Sequence, residues 1–214
     1  ICAFYSNQTN RKNLHKFCTM PLEFLSFGQI NQHIDNSNDF INRLDEELKL
    51  VPSSWEPYGK ATHLGLQTKG NLFRTKTRCI SKLEEIVKEE ITSYYSNFKT
   101  DSCLFIDLWP KETSLRSWSV RLQRHGYQSP HIHPGAWLSG VVYLKLVKSE
   151  NPDEGAIEFR LHGDTFPVLS KEYPKFLYRP KRGDIVLFPS SLFHRTIPIK
   201  NDGERLIVSF NLKS

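Results

Sequence analysis

The sequence predicts a mainly β domain, a sandwich or barrel, supported by helices from its N-terminal half. Three observations lead there. From residue 103 onward about eight short segments rich in β-branched and aromatic residues follow one another, separated by Gly or Pro turns and with no helical pattern between them. Two amphipathic helical patterns stand only before that point. Hydrophobic residues make up 38% of the 214, with 14 Phe and 4 Trp, enough for a sizeable core and too many for a disordered chain.

Residues 1–35 read as irregular, with Pro21 as a break. Their apolar Phe17, Leu22, Phe24, Leu25, Phe27 and Ile30 mark a segment laid over a core. A first helix is expected near Asn38, capped by Ser37 or Asn38, with Phe40, Ile41, Leu44 and Leu48 at helical spacing and Pro52 as its stop. Residues 52–78 carry Pro, Gly and Ser turn signals and read as a loop that admits a short strand. A second helix is expected over residues 81–97, its charged face (Glu84, Glu85, Lys88, Glu89, Glu90) solvated. Strands are then predicted over residues 103–109, 118–123, 138–147, 156–161, 176–178, 184–188, 193–197 and 205–212. In 118–123 the apolar Trp118, Val120 and Leu122 alternate with polar neighbours, while 138–147 is apolar throughout and therefore central. The division expected is residues 1–100 packing on a core formed by residues 101–214.

The net charge of +6 is scattered along the chain and includes no Lys/Arg run interleaved with aromatics, so nucleic-acid binding is not expected. An anionic ligand or substrate is an alternative use for the surplus. Cys2, Cys18, Cys79 and Cys103 show no metal or disulfide spacing, which points to a reduced, intracellular and cytoplasmic protein; the Asn7-Gln8-Thr9 sequon is the one counter-signal. No apolar run approaches a membrane span. The chain opens Ile1-Cys2 without methionine, so residues upstream are expected to have been removed.

The informative stretch is His131-Ile132-His133-Pro134. Two histidines one residue apart project to the same side of an extended strand, and a third, His194, on a neighbouring strand can close a metal site at a barrel mouth. In a chain with eight histidines such a pair also arises by chance, and its flanks decide. Residues 180–194 read as a turn, a buried strand, a Pro bend and then His194. Arg205 opens the next strand, and period two places Arg205, Ile207 and Ser209 on one face with Leu206, Val208 and Phe210 on the other. A guanidinium and a hydroxyl aimed into a barrel suit a carboxylate.

In this order His-x-His, Val142-Tyr143-Leu144, Gly183-Asp184 with Phe188-Pro189, His194, and Arg205 with Ser209 resemble the 2-oxoglutarate/Fe(II)-dependent oxygenases of the prolyl-4-hydroxylase type. Within these the chain is similar to the group with a His-Pro-x-x-x-Leu-Ser-Gly-Val-x-Tyr signature, here His133 to Tyr143. The resemblance spans residues 118–212 and implies a double-stranded β-helix (jelly roll) with flanking helices and iron at its open end. It implies His131 and His194 as iron ligands, with His133 where the family has an aspartate. It implies Arg205 and Ser209 on the distal carboxylate of 2-oxoglutarate, Tyr143 as a further cosubstrate contact and Arg121 as a second one.

The departure is His133. Three neutral imidazoles leave the centre one unit more positive than the usual two histidines and one carboxylate. A ligand histidine needs an acceptor for its other N–H, and the sequence identifies none for His133. The alternatives are two histidines with water or with another carboxylate, for which Glu158 is the candidate, and a purely structural role for His133. The activity implied is hydroxylation of a peptide or protein side chain or a small molecule, with Fe(II) as cofactor, 2-oxoglutarate as cosubstrate and O2 as oxidant, yielding succinate and CO2. The competing readings are a cupin-type three-histidine oxygenase or isomerase without 2-oxoglutarate, and a non-catalytic jelly-roll binding module. Trp137 and Gln128 are candidate substrate contacts, as are Trp109, Trp118 and Tyr127 at an opening, and the N-terminal half is expected to supply a lid or a homodimer surface.

Overall fold

The computed structural model describes Thr9, Phe17, Cys18, residues 20–163 and residues 174–214; Cys2 and the Asn7 position of the sequon lie outside the described residues. The strands are β1 Ser26–Gln29, β2 Ser53–Trp55, β3 Thr62–Thr68, β4 Ser114–His131, β5 Leu138–Lys145, β6 Ile157–Arg160, β7 Lys175–Tyr178, β8 Asp184–Pro189, β9 Phe193–Thr196 and β10 Arg205–Lys213. The helices are α1 Ser37–Lys49, α2 Arg78–Phe98 and the single turn α3 Leu104–Asp107.

All strand pairs are antiparallel, in the order β1-β8-β5-β10-β4-β9-β6-β7. Strand β4 belongs to two sheets. Its first half pairs with β10, from Ser114 opposite Lys213 to Leu122 opposite Arg205, and its end pairs with β9, with His131 opposite His194. Between the two halves the chain bends at His125, which has a positive φ of 65°, and at Gly126, where a Cβ would come within 2.8 Å of the carbonyl oxygens of Gln123 and Leu64. One four-stranded set (β8, β5, β10, first half of β4) therefore faces another (β7, β6, β9, end of β4), the arrangement of a jelly roll.

Alternation in the strands separates two cores. Outward residues Leu138, Val142, Leu144, Leu206, Val208, Phe210 and Leu212 pack beneath α1 and α2, whose buried faces are Phe40, Ile41, Leu44 and Leu48, and Ile80, Leu83, Ile86, Val87, Ile91 and Tyr94. Inward residues Val120, Leu122, Val141, Tyr143, Ile157, Phe159, Val186, Phe188 and Ile207 fill the space between the two sheets. Gly140 is required where it stands, because a Cβ there would fall 2.2 Å from the ring of its cross-strand partner Phe210.

Several sequence expectations change, among them residues 26–29, which form β1 along β8. Residues 103–109 form no strand: Phe105 N–H donates to Phe17 O, and the Phe105 ring sits among Phe17, Phe24, Tyr94, Trp109 and Trp137. A short apolar run without alternation is served as well by one buried helical turn. Residues 52–78 hold two strands rather than one, a β2–β3 hairpin whose second strand extends the sheet along β4. The cap of α1 is Asn36, which accepts from Asp39 N–H, one residue before the expected pair.

Glu47 on α1 holds the start of α2. Its carboxylate accepts from the Thr77 hydroxyl at 2.5 Å and from the N–H groups of Cys79 and Ile80 at 3.0 and 3.1 Å. Burial alone would raise its pKa, but these hydrogen bonds prevail and the net direction is down. A depressed carboxylate pKa stabilises the fold above the ordinary Glu range, and the contribution disappears as pH falls through the folded value. Glu47→Gln is therefore expected to cost about 1 kcal/mol at neutral pH, a gap in urea midpoint that closes on acidification below roughly pH 4.

Candidate functional site

His131 ends β4, His133 follows two residues later, and His194 lies on β9 opposite His131. Their rings converge, with centroids 4.2 Å apart for His131–His194, 5.0 Å for His133–His194 and 5.1 Å for His131–His133. One ring nitrogen of each lies within 4.8 Å of the others, so a single ion can meet all three.

Hydrogen bonds fix the tautomers. His131 Nδ1 faces Ser129 O at 2.7 Å and His194 Nδ1 faces Leu192 O at 3.0 Å, each the carbonyl two residues earlier. A carbonyl only accepts, so both Nδ1 atoms carry the proton and leave Nε2 with its lone pair. His133 Nδ1 faces Asn211 Oδ1 at 2.7 Å, and Ser139 Oγ donates to the same oxygen at 2.8 Å. Because Ser139 gives its proton to Asn211, the 2.7 Å contact between Ser139 and Ser190 runs with Ser190 as donor. Asn211 is thus the acceptor for His133 that the sequence did not reveal. It continues the inward parity of Arg205, Ile207 and Ser209, and that continuation was the available signal.

Burial, and then their mutual proximity, keeps the imidazoles neutral. His133 is pushed down to about 4 by burial first and the neighbouring His131 second, and His194 falls well below the usual histidine range for the same reasons. His131 is lowered by burial. The ring of Phe188 lies 4.6 Å from that of His194, and Trp118 lies 5.5 Å from His133.

Deeper between the sheets, Arg205 is 1% exposed and its Nε donates to Gly155 O at 2.9 Å. Its guanidinium carbon stands 5.2 Å from the centre of the Tyr143 ring. Arg205 Nη1 and the Tyr143 hydroxyl, both buried, have no hydrogen-bond partner among the described residues. Burial lowers the pKa of Arg205 and raises that of Tyr143 to about 12. A buried cation beside a buried hydroxyl, both with donors to spare, suits a carboxylate. Ser209 shares this inward face, opposite Trp118 and Val141.

Five sequence candidates lie elsewhere. Arg121 points away from the interior occupied by Val120 and Leu122, donating to Asp45 at 2.6 Å and to Glu204 at 2.5 Å. Trp137 packs on the helix-side core, with its indole N–H donating to Phe105 O. Glu158 points away from Phe159 and His194 and pairs with Arg160 and Arg195, so it offers no ligand to the histidines. Trp109 belongs to the cluster around Phe105, and Tyr127 stacks on His63. Gln128 and Trp118 do line the cleft above His131 and His133, a space of about 490 Å³ bordered also by Lys60, Lys69, Arg116 and Lys213. Among the described residues no helix is long and apolar enough to cross a membrane.

The model of the family "Putative 2OG-Fe(II) oxygenase" matches residues 116–211. No curated protein sequence matches the chain. Among solved structures, the chain is similar to a prolyl hydroxylase from Trichoplax adhaerens in complex with a hypoxia inducible factor oxygen degradation domain peptide fragment (TM-score 0.62, 11% identity, 99% of this chain and 90% of that one). It is similar to a Pseudomonas putida prolyl-4-hydroxylase (TM-score 0.60, 11% identity, 89% and 92%). A third similar structure is HygX from Streptomyces hygroscopicus with nickel and 2-oxoglutarate bound (TM-score 0.58, 12% identity, 88% and 82%). At such identities the likeness carries the fold alone. Residues 116–211 thus match the model of the 2-oxoglutarate- and Fe(II)-dependent oxygenases, and the fold is similar to that of the prolyl-hydroxylase structures.

Proposed function

We propose that the chain holds one Fe(II) through Nε2 of His131, His133 and His194, seats the distal carboxylate of 2-oxoglutarate against Arg205 and Tyr143, and hydroxylates a peptide side chain or a small molecule. The observation that carries this reading is the pair of buried donors, Arg205 Nη1 and Tyr143 OH, which lie beside each other with no acceptor for them among the described residues. A guanidinium withdrawn from water without an anion is costly, and a carboxylate arriving with the cosubstrate supplies one. The cupin-type alternative leaves both donors without an acceptor.

Bound there, the metal and cosubstrate supply the oxidative chemistry, in which 2-oxoglutarate and O2 give succinate and CO2 and one oxygen atom passes to the substrate. The protein's own work is placement. Ser129, Leu192 and Asn211 each hold one Nδ1–H, so the three Nε2 lone pairs point to a common centre before any ion arrives. Arg205 and Tyr143 orient the cosubstrate by its far end, and Ser209 adds a hydroxyl on the same face. Phe159 and Phe188 keep water from the inner side of His194. With imidazole in place of a carboxylate, a divalent ion and the dianionic cosubstrate sum to zero charge.

Arg205→Ala is expected to abolish 2-oxoglutarate-dependent succinate formation while Mn(II) binding, followed by electron paramagnetic resonance, is retained; undiminished succinate would sink the assignment. Tyr143→Phe removes only the unpartnered hydroxyl. It should weaken 2-oxoglutarate binding by roughly tenfold, as expected for a lost hydrogen bond to a charged group, yet leave the melting temperature of the cosubstrate-free protein equal or higher. Asn211→Leu should loosen His133 and weaken metal affinity about 10–100-fold; equal Co(II) titrations for wild type and variant would count against His133 as a ligand.

A further inference from the structure

The cleft over the histidines has a one-sided charge. Four cationic side chains border it, Lys60, Lys69, Arg116 and Lys213, and among the described residues its lining includes no Asp or Glu. Two come from the loops on either side of β3 and two from the ends of β4 and β10. Arg116 stands opposite Asn211 in the β4–β10 ladder, and cross-strand partners point to the same side of a sheet. With period two, Arg116, Trp118, Asn211 and Lys213 therefore share one face, which runs from the residue holding His133 outward to two positive charges. None of the four cations forms an ion pair with a described residue. The second cleft of the surface differs: its Lys76 and Lys88 both pair with Glu84, which lies in the same lining.

The floor of the cleft fits this rim. A carboxylate at position 133 would leave the loaded centre with a negative charge facing the cleft, whereas imidazole leaves it neutral. Like charges at close range in a partly desolvated site repel strongly. Both the substitution on the floor and the cations on the rim thus favour an anion.

We propose that the substrate presented to this centre is an anion, carrying carboxylate or phosphate groups that Arg116, Lys213, Lys60 and Lys69 receive while Trp118 packs against its uncharged part. The proposal rests on the oxygenase reading above for the identity of the floor, and on the cleft alone for its charge preference.

The test uses the full chain loaded with Mn(II) and 2-oxoglutarate under argon, with calorimetric titration of four probes: fructose 1,6-bisphosphate against fructose, and hexaglutamate against hexaglutamine. At least one anionic probe is expected to bind about tenfold or more tighter than its neutral counterpart, with an affinity that falls as salt is raised. Preference for the bisphosphate or the acidic peptide identifies phosphate or carboxylate as the group received. The double variant Arg116→Gln/Lys213→Gln should lose most of that preference while its Mn(II) affinity stays unchanged. Equal binding of charged and neutral probes, no binding of either anion, or an unaffected double variant would overturn the proposal. Loss of Mn(II) and 2-oxoglutarate binding by the wild-type chain, with anion preference intact, would refute the oxygenase reading and leave the preference of the cleft standing.

Discussion

Strand β10 carries the constraint on which the rest of the molecule depends. One parity of its residues, Leu206, Val208, Phe210 and Leu212, is committed to the core beneath the helices. The other, Arg205, Ile207, Ser209 and Asn211, must then face the space between the sheets. A slip of one residue in the β4–β10 or β5–β10 ladder would send a guanidinium into the helix-side core and four apolar side chains into the cleft. Burial of the apolar face therefore sets the register, and the register delivers the polar groups to the site. Phe210 over Gly140 adds a steric stop to that register.

The interior so formed is polar along a narrow path within an apolar surround. Asn211 holds His133, and Arg205 and Tyr143 lie deeper, with hydrogen-bonding capacity unspent among the described residues. Leaving donors unpaired in a folded interior is destabilising by about 1–3 kcal/mol each. Two such donors side by side are what the proposed seat for a cosubstrate carboxylate rests on. The same principle explains why Arg121 is absent from the site. On a strand whose even residues fill the interior, an odd position faces outward, where Asp45 and Glu204 neutralise it.

Replacing the expected carboxylate by His133 changes the electrostatics more than the geometry. The ring finds an acceptor in Asn211, and its centroid stands about 5 Å from those of both other histidines. What changes is the charge at the base of the cleft, which imidazole leaves one unit less negative, beneath a rim of cations.

Local pattern was enough to read much of this from the chain. Period two in residues 118–123 and 205–212, the His-x-His pair and the position of His194 are local facts, because strand side chains alternate whatever the tertiary context. The order of these pieces was specific enough to suggest the family, and with it the roles offered to Arg205, Ser209 and Tyr143. Tertiary structure alone decided the rest. Asn211 and His133 are 78 residues apart and meet only through the β4–β10–β5 register. Trp137 and residues 103–109 are apolar without a clear period, so only packing could choose the helix-side core for them. Arg116, Lys213, Lys60 and Lys69 look like scattered surface charges along the chain, because a shared cleft is a property of three strands and two loops brought together and has no local signature.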